Sequence, residues 1–202
     1  MEFAFEVEPT PDSGVRLTDH RLWDESERPT GPRPDPQRRY SAHSLASGRH
    51  LVDVHDHLRT ELTQVRELVA QVLDGQTDAA HARSAISEMT IRQNQWTVGA
   101  YCAAYCRMLT THHSLEDQAM FPSLRGADPR LAPVVDRLEL EHVVIHGTLE
   151  ELDRSLVGFI GPDRDEAGLR RALDTVTDTL LSHLAYEERE LVEPIARLGV
   201  FG

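Results

Sequence analysis

The stretch LRRALDTVTDTLLSHLAYEEREL, residues 169–191, decides the fold. Leu169, Leu173, Val176, Leu180, Leu184 and Leu191 recur at the period of one face of an α-helix. His183 and Glu187 lie on that face, four residues apart and so stacked on one side. An apolar stripe carrying an imidazole and a carboxylate is either a hydrogen-bonded polar spot in a core or part of a metal site. The rest of the chain separates the two readings.

Toward the N-terminus the pattern repeats three times. Leu131, Val135, Leu138, His142, Leu149 and Leu156 form a stripe that opens at Asp128-Pro129 and ends near Gly158–Gly161, with His142 and His146 four apart. A helix from about Ala80 to Ala119, stopped at Phe121-Pro122, carries Val98, Tyr101, Tyr105, Leu109 and His112, with Glu116 four residues after His112. The first helix, from about Ser47 to Asp74 and capped by Gly75, carries Val54, Leu58, Leu62, Val65, Val69 and Val72, and places His55 inward. The last helix opens near Pro162-Asp163. Short loops between long amphipathic helices predict an all-α fold, an antiparallel up-down-up-down four-helix bundle over residues 47–202.

Residues 1–46 read differently. Six of the 11 prolines fall in the first 36 positions, four of them between Pro29 and Pro36, which excludes a helix there. An extended proline-rich N-terminal arm is expected, partly disordered or laid over the bundle, and able to contact a protein partner or a second copy of the chain.

The charge is −13, from 34 acidic residues against 21 basic ones, all of them Arg. So acidic a surface repels phosphate backbones and anionic lipid, which argues against nucleic-acid and membrane binding. No apolar run reaches the roughly 20 residues that span a bilayer. With no signal-peptide pattern and with Cys102 and Cys106 one helical turn apart, poorly placed for a disulfide, a reducing cytoplasm is the expected setting.

The inward faces together carry His55, His112, Glu116, His142, His146, His183 and Glu187. Each unpartnered ionisable group in a core costs several kcal/mol, so seven converging without a cation would leave an unstable protein. Coordination removes that cost. Seven ligands exceed the four of a structural zinc site and suit two ions bridged by carboxylates. Imidazole and carboxylate donors without thiolate fit non-haem iron, with manganese or zinc as substitutes. Tyr105 and Tyr101 share the His112 face as hydrogen-bonding or redox candidates; Glu141 and Asp153, on the third helix, could orient a ligand imidazole, but Glu141 reads first as a solvated helix charge. His113, about 100° around from His112, reads as structural, Gly147 as a site of close packing, and the cysteines as apolar filler.

Four segments, in order, carry a family resemblance: His55-Asp56-His57-Leu58-Arg59; His112-His113-Ser114-Leu115-Glu116-Asp117 leading to Phe121-Pro122; Glu141-His142 through His146; and His183-Leu184-Ala185-Tyr186-Glu187-Glu188. Over about residues 48–198 the chain resembles the hemerythrin-like, or HHE cation-binding, family. The resemblance implies a diiron centre ligated by the seven residues above, with Glu116 and Glu187 as bridges. Two positions have alternatives, since hemerythrins place the last carboxylate five residues after its histidine, which selects Glu188, and His57 competes with His55. Relatives bind or react with oxygen, peroxide or nitric oxide. The implied activities are therefore redox or peroxide-decomposing chemistry, reversible oxygen or iron binding and sensing without turnover, or diiron oxidase or oxygenase chemistry on a small molecule.

Overall fold

The computed structural model describes residues 2–74, 98–160 and 165–200. Its long elements are helices: α1 (Ala42–Leu73), α2 (Val98–Leu115), the short α3 (Phe121–Ala127), α4 (Ala132–Ile160) and α5 (Glu166–Leu198). Two two-residue strands, β1 (Glu2–Phe3) and β2 (Tyr40–Ser41), pair antiparallel at the start of the chain. No helix among the described residues is long and apolar enough to cross a membrane.

α1 begins five residues before the expected boundary. Ser41, the last residue of β2, accepts the Ser44 amide with its hydroxyl at 3.0 Å, capping the helix there. Asp128 caps the turn ahead of α4, accepting the Arg130 amide, and Asp165 caps α5, accepting the Gly168 amide at 2.8 Å. Gly199, at φ 66°, ends α5 in the left-handed conformation that favours glycine. The Gly75 cap, the first half of the expected second helix and Pro162-Asp163 lie outside the described residues.

α2 passes into α3 through a π-helical turn, Glu116–Met120, in which the Phe121 amide bonds the Glu116 carbonyl. Pro122 has no amide to donate one residue later, so a wider turn costs little at this point. Gly48 sets the approach of α1 to α5, because a Cβ there would sit 2.8 Å from the Val192 carbonyl oxygen. Gly147, expected to permit close packing, instead faces open space.

The core is two apolar clusters with a polar layer between them. One contains Leu58, Leu62, Tyr105, Leu109, Ile145, Leu149, Val176 and Leu180; the other contains Leu51, Met120, Phe121, Leu138, Leu191 and Ile195. Each long helix crosses from one cluster to the other. The residues it carries at the crossing are His55, then His112 to Glu116, then Glu141 and His142, then His183 to Glu187. The apolar clusters thus fix all four crossings in one layer, and tight packing leaves their side chains little freedom to shift.

Leu180 has no exposed surface and packs beside this layer, whereas Val143 is 70% exposed. Leu180→Ala is expected to lower unfolding free energy by about 2–5 kcal/mol, and Val143→Ala to change it by less than about 0.5 kcal/mol, both measured by denaturant unfolding.

Candidate metal centre

The polar layer holds two groups of side chains whose ligand-capable atoms lie within 4.8 Å of one another. The first is His55, His112, Glu116 and Glu187; the second is His113, His142 and His183. Glu116 lies between them, with Oε1 3.1 Å from His112 Nε2 and Oε2 3.6 Å from His142 Nε2. Glu187 does the same from α5, its Oε2 3.6 Å from both His55 Nε2 and His183 Nε2. Two carboxylates shared by two imidazole groups is a bridging arrangement.

Outer carboxylates orient three of the rings. Glu188 Oε1 is 2.9 Å from His55 Nδ1, Asp117 Oδ1 is 2.8 Å from His142 Nδ1, and Glu141 Oε2 is 3.1 Å from His183 Nδ1. An ionised carboxylate only accepts, so in each pair Nδ1 carries the proton and Nε2 is left as a bare lone pair. The Nε2 atoms of His142 and His183 then face each other at 3.1 Å with no proton to share. The same deficit appears across the layer, where His55, His112 and His113 Nε2 and all four oxygens of Glu116 and Glu187 are buried without a hydrogen-bond partner. Such a layer is satisfied by cations.

Electrostatics agree. Burial pushes the imidazole of His112 down to about 2 and that of His183 to about 4, and holds His55 and His113 low as well. Burial likewise raises the carboxyls of Glu116 and Glu187, the latter to about 8. Burial would also raise Glu141, but hydrogen bonds from His183 and Arg28 outweigh it and hold this outer carboxylate at about 2. Inner groups therefore resist carrying charge without a partner, and an outer one keeps it.

Compared with known families, residues 48–195 match the Hemerythrin HHE cation binding domain. The chain belongs to the hemerythrin HHE cation-binding family. No curated protein and no solved structure gives a significant match.

Within this hemerythrin-like domain, six of the expected inward residues meet in the layer and one does not. His146 is the correction: its side chain is 59% exposed and pairs with Glu150 at 3.4 Å. The buried positions along α4 run Leu138, Glu141, His142, Ile145, Thr148, Leu149, Leu152 and Leu156, a repeat nearer 3.5 than 4 residues. A step of four from His142 overshoots that stripe by about 40° and leaves the core. His113, expected to be structural, takes the place in the layer that His146 leaves. α2 packs against both α1 and α4, so adjacent residues serve different neighbours. The His112 ring lies 5.1 Å from that of His55, and the His113 ring stacks on His142 at 4.0 Å. The doublet His112-His113 was the available signal.

The open alternatives separate by depth. His55 is fully buried in the layer, whereas the His57 side chain is 49% exposed beside Glu61. Glu187 faces the Nε2 side of His55, and Glu188 binds its Nδ1 from outside. Glu141 is buried behind His183, not solvated, while Asp153 is exposed. Tyr105 sits in the apolar cluster, its hydroxyl donating to the Leu58 carbonyl at 3.3 Å. The side chains of Tyr101 and Cys102 lie outside the described residues. Cys106 is half-buried, and burial pushes its thiol up to about 11, which suits apolar filler.

A prediction follows for the metal-free chain. His55, His112, His113 and His183 are held below the ordinary imidazole value of 6.5, so below that pH unfolding takes up protons at four sites. The raised carboxyls of Glu116 and Glu187 act in the opposite sense at two sites. The balance makes stability fall as pH drops from about 6.5 toward 4.5. Thermal melts of chelator-treated protein across that range measure it.

Proposed function

We propose that this hemerythrin-like protein holds two non-haem iron ions and that the centre binds or reacts with oxygen, peroxide or nitric oxide. One ion is held by His55 and His112, the other by His113, His142 and His183, with Glu116 and Glu187 shared. The observation that carries this reading is the buried pair of Nε2 atoms of His142 and His183, 3.1 Å apart, while the Nδ1 proton of each ring is committed to an outer carboxylate. Imidazole and carboxylate donors without thiolate suit iron, and also manganese or zinc. Iron in such a set supplies an electron source and a position for a small exogenous ligand.

The protein's part is to orient the rings and to control access. A cavity of about 470 Å³, lined by Leu51, Val54, Leu115, Ala119 and Met120, reaches His112 and Glu116. Its aliphatic walls favour small neutral molecules over ions at the two-imidazole subsite. The same cavity supports a second reading, oxidation of a small apolar organic molecule, because its volume exceeds what a diatomic ligand fills.

Purified wild-type chain supplied with ferrous iron is expected to bind two ions, counted by elemental analysis. His112→Ala and His113→Ala should each lose at least one ion, and His146→Ala should keep both. Retention of two ions by His113→Ala, or their loss from His146→Ala, would overturn the ligand set. Optical spectra of the reduced protein mixed with oxygen separate the functions: a persistent new band supports reversible binding, and rapid decay with product supports turnover.

A further inference from the structure

We infer that the N-terminal segment, residues 2–41, is a working part of the metal centre, with Arg28 as a positioning residue for His183. The inference rests on the metal-centre reading above and deepens it. The family match begins at residue 48, so this segment lies outside the matched domain.

The segment lies along α5 and is fastened by polar contacts that are buried or partly buried. The Asp178 carboxylate accepts the amides of Leu17 and Thr18, Glu190 accepts the Gly31 amide at 2.7 Å, and the Tyr40 hydroxyl donates to Glu193. Those contacts hold the segment in place but touch no inner residue of the site. Two others do reach its outer carboxylates. The Thr10 amide donates to Glu188 Oε2 at 2.7 Å, and Glu188 Oε1 holds His55 Nδ1.

The stronger contact is Arg28. Its guanidinium grips Glu141 with both arms of the fork, Nε to Oε1 at 2.8 Å and Nη2 to Oε2 at 2.9 Å, and donates through Nη1 to the Ser182 hydroxyl at 3.0 Å. The side chain is 4% exposed and stacks over the Tyr186 ring at 4.6 Å, while the Tyr186 hydroxyl donates to the Pro29 carbonyl. Arg137 also reaches Glu141, but only at Oε1. Oε2, the oxygen that holds His183 Nδ1, is therefore fixed by Arg28. A planar fork sets a carboxylate's orientation in a way a point charge does not. Glu141 is the partner one shell out from the ligand imidazole, where a loss typically changes metal affinity by about 10- to 100-fold, and Arg28 acts through it. The chain of contacts runs from the N-terminal segment through Glu141 to the three-histidine subsite.

The test loads full-length protein with Co²⁺ and follows retention against a chelator together with the visible Co²⁺ spectrum. Wild type is expected to hold two ions. Arg28→Ala should hold one as wild type does and release the other more readily, by up to about 10-fold, with an altered spectrum. Arg28→Lys, which keeps the charge but loses the planar fork, should shift both readouts the same way and decides the matter if Arg28→Ala fails to fold. Arg125→Ala, which removes a surface ion pair with Asp136 and Glu139 away from the layer, should leave retention and spectrum unchanged. Wild-type retention and spectrum in Arg28→Ala, or in Arg28→Lys where the alanine variant fails to fold, would overturn the inference while leaving the metal centre standing. Failure of the wild type to bind Co²⁺ would overturn the metal centre itself.

Discussion

The structure depends on an arrangement that is unfavourable by itself: five imidazoles and two carboxylates packed into one buried layer with their inner atoms unsatisfied. Two bare Nε2 atoms 3.1 Å apart repel unless a cation lies near both. The surrounding fold keeps them there. Apolar clusters above and below the layer fix where each helix crosses it, and outer carboxylates fix how three of the rings are turned. Hydrophobic packing thus holds polar groups in a geometry they would leave if free.

The outer carboxylates come from different places. Asp117 is on the π-helical turn that follows His112 and His113, Glu141 precedes His142 on α4, and Glu188 follows Glu187 on α5. Each sits one to five residues from an inner residue but serves a histidine on another helix. Two of the three are held in turn by the N-terminal segment, through Arg28 and the Thr10 amide. Proline keeps that segment extended, so its backbone amides remain free to donate to the carboxylates of α5.

Much of this was legible in the linear order of residues. Stripes of Leu and Val at helical spacing located the long helices, and His/Glu pairs four apart on those stripes located the layer. The family membership of residues 48–195 agrees with the resemblance carried by the four segments. Three details were not legible. His146 and His113 exchanged places because a four-residue step turns about 40° past His142 and out of the buried stripe, and because a helix wedged between two neighbours has an inner face wide enough for adjacent residues. Glu141 reads as a solvated charge until Arg28, 113 positions earlier, is seen to cover it.

What the sequence by itself determined was the helical class, the polar layer and the donor chemistry, because amphipathic period and residue type are local properties. The choice between His55 and His57, Glu187 and Glu188, and His113 and His146 belonged to the tertiary structure. Each pair differs only in the direction a side chain takes from its helix, and that direction acquires meaning from the helix, or the N-terminal segment, packed against it.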